Sequence, residues 1–169
     1  MRPRRRLEQA DAVSVTPAWR VRAATAADVG AWSRLRQVLW PQADPAQHAG
    51  DIEQMLARPE SAVVFLVVDA DGDVYGFAEA SLRNDYVNGT ESSPVGFLEG
   101  WYVQAQWRGR GAGRALIVAV EQWTLQRGAS ELASDALLDN HASHRAHAAC
   151  GFDETERVVY FRKRLREPG

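Results

Sequence analysis

Apolar and polar residues follow two different spacings along the chain, which divide it into strands and helices. A period of two, or a short apolar run, predicts strands over 19–23, 63–68, 74–82, 97–103, 131–135 and 157–165. Apolar residues at helical spacing, bounded by caps, prolines and glycines, predict helices over 25–40, 45–56, 113–127 and 140–150. The order β α α β β β α β α β is typical of an α+β domain, with an antiparallel run of strands followed by strand–helix–strand units.

A loop rich in glycine and arginine follows the strand that starts at Phe97. Residues 108–114 read Arg-Gly-Arg-Gly-Ala-Gly-Arg and lead into the apolar start of a helix. Glycines let backbone N–H groups approach an anion, arginines neutralise it, and a helix N-terminus attracts it. The spacing does not fit G-x-G-x-x-G, and the Lys-Ser/Thr of a P-loop is absent. The loop therefore predicts a phosphate site, with a plain glycine-rich turn as the alternative on these residues alone.

Length and composition describe a single ordinary domain. The chain has 169 residues, of which 46% are hydrophobic and 25% charged. No run approaches the ~20 apolar residues of a membrane span, so no membrane association is expected. The lone cysteine, Cys150, fits a reducing compartment, and the cytoplasm is the expected location.

Charge is distributed unevenly along the chain. Residues 1–18 carry a net charge of +2, so the remaining 151 carry −4 of the total of −2. We interpret residues 1–18, which lack apolar periodicity, as a flexible basic extension, and 19–169 as the single folded domain. A mildly acidic body disfavours nucleic acid and favours a cationic partner.

The loop and the element order together resemble the GNAT superfamily of N-acetyltransferases, from about Arg20 to Leu165. Arg108, Gly111 and Gly113 fill its Arg-x-x-Gly-x-Gly pattern. Residues 85–100, 133–135 and 151–160 are similar to aminoglycoside 6′-N-acetyltransferases of bacteria. The resemblance implies an α+β acyltransferase fold with a mixed sheet of about six to seven strands flanked by about four helices. It also implies a homodimer. The implied activity is N-acetylation of aminoglycosides, in which the 6′-amine attacks the thioester of acetyl-CoA directly and the product confers antibiotic resistance.

The same resemblance implies which residues bind acetyl-CoA. The strand residues Trp101, Tyr102 and Val103 supply backbone hydrogen bonds to the pantetheine arm, and Asn140 contacts the arm from the next helix. His147 stands where many members have a tyrosine that protonates the leaving thiolate; it could donate a proton, pack or bind the cofactor. The pyrophosphate lies on the loop, formed by Arg108, Gly109, Arg110, Gly111, Ala112, Gly113 and Arg114.

Substrate residues are implied in the same way. The resemblance places the antibiotic against four residues and an aromatic wall: Tyr86, Glu99, Asp135 and Glu156, with Trp40 as the wall. Aminoglycosides are polyamines, so an anionic pocket suits them. Glu79 is a further candidate, with an outward, solvated carboxylate as the alternative. Nearby carboxylates raise the pKa of the amine, so one of them must accept its proton, and Asp135 and Glu99 are the two candidates.

The sequence disfavours a metal site and leaves two alternative functions open. Histidines 141, 144 and 147 and Cys150 fan across about half of a helix, so they cannot converge on one tetrahedral metal ion, and no metal is expected. The function alternatives are a GNAT enzyme acting on another polyamine or a protein amine, and a non-enzymatic acyl-CoA or nucleic-acid binding module that uses the basic extension.

Overall fold

The computed structural model describes residues 18–165, which form one sheet with helices on both faces. The predicted extension lies outside these residues except for Ala18. The helices and strands have the following bounds: β1 Trp19–Ala23, α1 Val29–Leu39, α2 Pro45–Leu56, β2 Ala62–Asp69, β3 Val74–Arg83, β4 Val95–Val103, α3 Ala112–Gln126, β5 Leu132–Ser134 and α4 His141–Ala149. The predicted α+β class is confirmed.

Helices cover the two faces of the sheet and make two cores. On one face α3 packs Leu116, Ile117 and Val120 against alternate residues of the strands. On the other face α1 and α2 bury Trp32 and Ile52 against the opposite set of strand residues. Strand side chains point alternately to the two faces, so the continuous apolar run of β2 serves both cores. The helix predicted over 113–127 is confirmed as α3, and its buried face includes the following residues: Leu116, Ile117, Val120, Trp123 and Thr124.

The sheet order is β1-β2-β3-β4-β5, antiparallel except for the parallel pair β4 and β5. The register between β3 and β4 passes from Glu79↔Gly100 to Ala80↔Leu98. Glu99 is therefore the extra residue of a β-bulge, which turns its side chain away from the regular alternation. β5 pairs with β4 from Gly96 to Leu98. After Leu98, β4 has no strand partner on that side within the described chain. Glu99 thus lies where the two strands separate.

The last predicted strand, 157–165, is not a strand in the structure. Within the described part of the chain the sheet has five strands rather than the expected six to seven. The segment is exposed to solvent: the exposed fractions of Val159, Tyr160 and Phe161 are 77%, 83% and 93%. A strand needs a neighbour for its N–H and C=O groups, and this segment pairs with none among residues 18–165. None of the helices in that range is long and apolar enough to cross a membrane.

Candidate functional site

An open pocket of about 710 Å³ lies on the α1/α2 face of the sheet, beside the β4 bulge. Its volume falls within the range of about 300–1,000 Å³ that is usual for small-molecule sites. β3, β4, α1, α2 and the loop after β3 all contribute to its wall. Four carboxylates and three guanidinium groups line it: Asp51, Glu79, Asp85 and Glu99, and Arg36, Arg58 and Arg83. The pocket is mildly anionic, as a cationic ligand requires.

Glu99 lines this pocket but is held by two residues of β3. The Ser81 hydroxyl donates to Glu99 Oε1, and Arg83 Nη2 donates to Oε2 at 2.8 Å. The Arg83 guanidinium also lies over the Phe97 ring, 3.4 Å from its centroid. Ser81 and Arg83 are alternate residues of one strand, so both reach the same face of the sheet. The sequence analysis did not identify either residue, because their partner lies on a different strand.

Trp40 forms a wall of the pocket next to Glu99, as the resemblance implied. A Cβ atom at Gly100 would lie 2.4 Å from Trp40 Cη2, so the indole crosses β4 where the strand has no side chain. Behind the ring, the Arg36 guanidinium lies 4.7 Å from its centroid, within the range of a cation–π contact. Gly100 is therefore required for the close approach of Trp40 to β4.

Glu79 is buried at the base of the pocket, with 2% of its surface exposed, so the outward, solvated alternative is wrong. Trp32 Nε1 donates to Oε1 and Arg36 Nη1 to Oε2, each at 2.5 Å. Burial raises the pKa of the Glu79 carboxyl, and the Arg36 charge opposes that rise. Both oxygens are engaged by the protein itself, which favours a buttressing role over direct substrate contact.

Arg36 joins that buried pair to α2. Its Nη2 donates to Asp51 Oδ2 at 2.6 Å and its Nε to His48 Nδ1 at 3.3 Å. The guanidinium therefore holds β3, α1 and α2 together behind Trp40, using the fork geometry that suits Arg to several acceptors at once. The sequence analysis did not identify Arg36, because its partners lie on β3 and α2, far from it in the sequence.

Tyr86 lies on the loop between β3 and β4, lines the pocket and is 78% exposed. Glu131, just before β5, anchors that loop: it accepts the Ser92 hydroxyl and the backbone N–H groups of Glu91 and Ser92, at 3.0 and 2.7 Å for the two N–H groups. The Ser92 hydroxyl and these N–H groups lower the pKa of the Glu131 carboxyl. No local pattern in the sequence indicates this function of Glu131.

Asp135 and Glu156 are exposed and do not line the pocket wall. Leu98 and Ser134 form the last pair between β4 and β5, and Glu99 and Asp135 are the residues that follow them. Both carboxylates therefore lie where the two strands separate. Glu156 follows Thr155, whose side chain covers Gly89 of the Tyr86 loop. The structure thus brings Trp40, Glu79, Tyr86 and Glu99 together, and sets Asp135 and Glu156 at the margins.

The predicted phosphate loop has the geometry that an anion needs. Gly109 and Gly111 adopt the left-handed region at φ +71° and +84°, and a Cβ on Gly109 would meet no atom within 4 Å. Gly111 is the N-cap of α3 and provides no side-chain cap, so the first N–H groups of the helix are available to an anion. Arg108 Nε donates to Val103 O at 2.7 Å, which ties the loop to the end of β4. These residues fit the pyrophosphate of a coenzyme A derivative.

The unpaired edge of β4 meets this loop, at the predicted pantetheine residues 101–103. A Cβ atom at Gly113 would lie 3.2 Å from Trp101 Cζ2, so the start of α3 packs closely on the Trp101 ring. Arg114 donates to Ala149 O and so joins α3 to α4. Strand edge, loop and helix N-terminus are continuous, which is the arrangement that a long phosphorylated ligand requires.

His147 has both ring nitrogens engaged. Nδ1 lies 2.8 Å from the Ser143 carbonyl and donates to it, and Nε2 lies 3.0 Å from the Ser134 hydroxyl, from which it accepts in the neutral ring. The ring also meets Trp101 edge-on. This favours the packing alternative, in which His147 fixes the end of β5 to α4. Asn140 caps α4 through its side chain, which accepts the Ser143 N–H at 3.1 Å; its contact with the cofactor stays a prediction.

No group of three or more His, Cys, Asp or Glu side chains between residues 18 and 165 is arranged to hold a metal ion.

Comparison with known proteins agrees with this geometry. The sequence profile of the acetyltransferase (GNAT) family matches residues 31–152. An aminoglycoside N(6′)-acetyltransferase type 1 of Stenotrophomonas maltophilia is 59% identical over 145 residues, covering 86% of this chain and 93% of that protein. The protein of the same name in Serratia marcescens is 48% identical over 138 residues, covering 82% and 94%.

Solved structures show the same fold. AAC(6′)-Iy, in complex with the bisubstrate analogue CoA-S-monomethyl-acetylneamine, matches with a TM-score of 0.82 at 42% identity, over 87% of this chain and 99% of that one. AAC(6′)-IG from Acinetobacter haemolyticus, without ligand, matches with a TM-score of 0.81 at 43% identity, over 87% and 99%. With its family profile, its relatives and its fold in agreement, the chain belongs to the acetyltransferase (GNAT) family.

Proposed function

We infer that this protein is an aminoglycoside 6′-N-acetyltransferase that uses acetyl-CoA as the acetyl donor and thereby confers antibiotic resistance. The observation that carries the inference is the position of Glu99: a bulge carboxylate in a pocket of 710 Å³, at the point where β4 leaves β5 and continues to the anion-binding loop. An amine held at Glu99 would lie next to the edge of β4 that leads to this loop, where we propose that coenzyme A binds. The relatives and the bisubstrate complex of AAC(6′)-Iy support the same pair of substrates.

Acetyl-CoA supplies the activated thioester. The loop residues 108–114 and the N-terminus of α3 would bind its pyrophosphate, and the free edge of β4 at 101–103 would hold its arm. Asn140 would contact the arm from the start of α4. Backbone N–H groups on that edge are also placed to polarise a carbonyl oxygen. The protein itself thus orients the donor through main-chain groups.

The acceptor amine arrives protonated and must lose a proton before it can react. We propose that Glu99 or Asp135 takes that proton, directly or through water, because both carboxylates lie where β4 and β5 separate. Trp40 and Tyr86 would contact the sugar rings, and Glu156, next to the Tyr86 loop, would bind a more distant ammonium. Glu79 would support this site from below through Arg36 rather than touch the antibiotic.

A coupled assay tests the proposal. The protein is incubated with acetyl-CoA and either kanamycin, which has a 6′-amine, or paromomycin, which has a 6′-hydroxyl, and free thiol release is followed. Turnover is expected with kanamycin and not with paromomycin. Equal turnover with both would exclude the 6′-amine as acceptor, and turnover with neither would exclude the antibiotic as substrate.

We propose further that the protein is a homodimer in which segment 157–165 pairs with a second copy. Val159 and Phe161 on one side of the segment, and Val158 and Tyr160 on the other, are exposed by 46% or more. Exposed apolar residues of an extended segment, with no strand partner among residues 18–165, suit a strand of a neighbouring copy. Deletion of 157–165 is expected to convert a dimer to a monomer in sedimentation equilibrium; a wild-type monomer would refute the proposal.

The remaining assignments follow from the same reading. The lone Cys150 and the use of acetyl-CoA support a cytoplasmic location. Because every described element of the site lies between 19 and 165, we propose that 19–169 is the catalytic domain and that removal of 1–18 leaves turnover intact. Loss of turnover on that deletion would instead favour a role for the basic extension.

A further inference from the structure

Glu99 is paired with a positive charge before any substrate is present. Arg83 Nη2 lies 2.8 Å from Glu99 Oε2, and the two side chains are 41% and 33% exposed. The planar guanidinium is also held by its stacking over Phe97. The carboxylate best placed to receive a substrate ammonium is therefore occupied by a cation of the protein itself.

We propose that Arg83 is a specificity-determining residue that competes with the substrate for Glu99. The proposal rests on the aminoglycoside function inferred above. An ammonium group that binds at Glu99 meets the Arg83 cation there. The carboxylate still has free acceptor positions, but Arg83 already neutralises its charge, so the ammonium must either displace the guanidinium or bear its repulsion. Part of the binding free energy of the substrate is then used to displace Arg83.

The competition favours acceptors that carry several cations. A substrate with one ammonium exchanges one ion pair for another at Glu99 and gains little. A polyamine also meets Asp85 of the pocket wall and can offset the displacement. Arg83 therefore selects against simple amines at a site that would otherwise attract any cation.

Arg58 provides a matched control. It lines the same pocket, but its Nε donates to the Gln54 carbonyl at 3.2 Å and not to a carboxylate. Arg58→Gln and Arg83→Gln remove the same charge from the same pocket, and only the second frees Glu99. The difference between the two variants isolates the competition from the general effect of a more negative pocket.

The experiment measures kanamycin binding by calorimetry and kanamycin acetylation by thiol release, in wild type, Arg83→Gln, Arg58→Gln, Glu99→Gln and the double variant Arg83→Gln/Glu99→Gln. Arg83→Gln is expected to lower the kanamycin Kd and KM by about fivefold, the value of a partly exposed ion pair of about 1 kcal/mol. Arg58→Gln is expected to have a smaller effect. In the Glu99→Gln background, Arg83→Gln is expected to change Kd by less than about twofold, because the ion pair that it removes is already absent. The effects of the two substitutions are then not additive, as expected for residues in contact.

An unchanged or raised Kd in Arg83→Gln, in a protein with the wild-type melting temperature, would overturn the proposal, because Arg83 would then be inert or would position Glu99 for the substrate. Equal effects of Arg83→Gln and Arg58→Gln would also overturn it. These failures differ from failure of the proposed function, which would appear as absence of kanamycin binding and turnover in the wild-type protein and would remove both ideas.

Discussion

Replacing Gly100 by alanine tests the contact between Trp40 and β4. The new Cβ would lie 2.4 Å from Trp40 Cη2 and 2.8 Å from Cζ2. Carbon atoms pack at about 3.5–4.0 Å, so the ring must move by about 1 Å or more. It cannot move inward, because Phe77 is fully buried against it and Arg36 is held by Glu79 and Asp51. The indole must therefore tilt towards the pocket.

The cost follows from overpacking, which is about 1–3 kcal/mol for added carbon in a well-packed site. At about 2–4 °C per kcal/mol for a domain of this size, that free energy lowers Tm by about 2–12 °C. Since Trp40 lines the pocket next to Glu99, the KM for kanamycin is expected to rise. The KM for acetyl-CoA is expected to remain unchanged, because the loop that we propose for its pyrophosphate does not contact Trp40.

Gly50→Ala is the matched control. Gly50 lies inside α2, and a Cβ there meets no atom within 4 Å. Alanine in a helix interior stabilises by about 0.5–1 kcal/mol relative to glycine, so Tm should rise rather than fall. A second variant, Gly100→Ala/Trp40→Phe, removes the clashing atoms and should be about as stable as Trp40→Phe alone. If Gly100→Ala has the Tm and kanamycin KM of the wild type, Trp40 does not lie against β4 and the assignment of the pocket wall fails.

Three further substitutions test separate parts of the structure. Asp135→Asn is expected to lower kcat for kanamycin far more than it changes the KM for acetyl-CoA, and an unchanged kcat would remove Asp135 as the base. Glu131→Gln should raise the kanamycin KM severalfold by loosening the Tyr86 loop, with the acetyl-CoA KM as internal control; equal changes in both would contradict a local role. Two Arg22 hydrogen bonds hold the pKa of Asp28 well below its ordinary 3.8, so Asp28 stabilises the fold above pH 4 and loses that contribution as pH falls through its folded pKa. In urea denaturation Asp28→Asn should therefore cost about 1.5–3 kcal/mol at pH 7 and progressively less below pH 4, and a loss independent of pH would refute the ionic contribution.

Local patterns in the sequence were sufficient to predict most of the elements. The helical stripe on α3 and the alternation in β1 arise from the residues' own spacing, and the structure places both as predicted. The glycine loop was also readable, because left-handed glycines before a helix are a local requirement. Segment 157–165 shows the limit of such patterns: alternation describes one strand, but a strand forms only with a neighbour, and the neighbour is not encoded in the segment.

The site was predictable only in part, for a related reason. Glu99, Tyr86 and Trp40 could be proposed from a family resemblance, and the structure brings them to one pocket. Their supporting contacts join residues far apart in sequence: Arg36 with Glu79 across 43 positions and Ser92 with Glu131 across 39. Such pairs depend on the packing of different elements, and neither partner has an unusual local environment in the sequence.

Substitution of Glu79 tests most directly whether its carboxylate supports the fold through Arg36, as a buttress of the pocket, or binds the substrate. Its two oxygens accept from Trp32 and Arg36, and a glutamine in its place has only one acceptor oxygen, so one buried donor loses its partner. Breaking a buried ion pair on one side costs about 3–5 kcal/mol. Asp51→Asn is the control, because Asp51 binds the same guanidinium but its side chain is 42% exposed, where an ion pair is worth about 0–1 kcal/mol.

Urea denaturation of Glu79→Gln and Asp51→Asn, with kanamycin kinetics on the folded fraction, separates the two roles. A buttress predicts a large loss of unfolding free energy at Glu79, a small one at Asp51, and an acetyl-CoA KM that does not change. If Glu79→Gln is instead as stable as Asp51→Asn but raises the kanamycin KM, the buried pair with Arg36 contributes little to the fold. The Glu79 carboxylate would then be available to the antibiotic, and it would return to the set of substrate-binding residues beside Glu99.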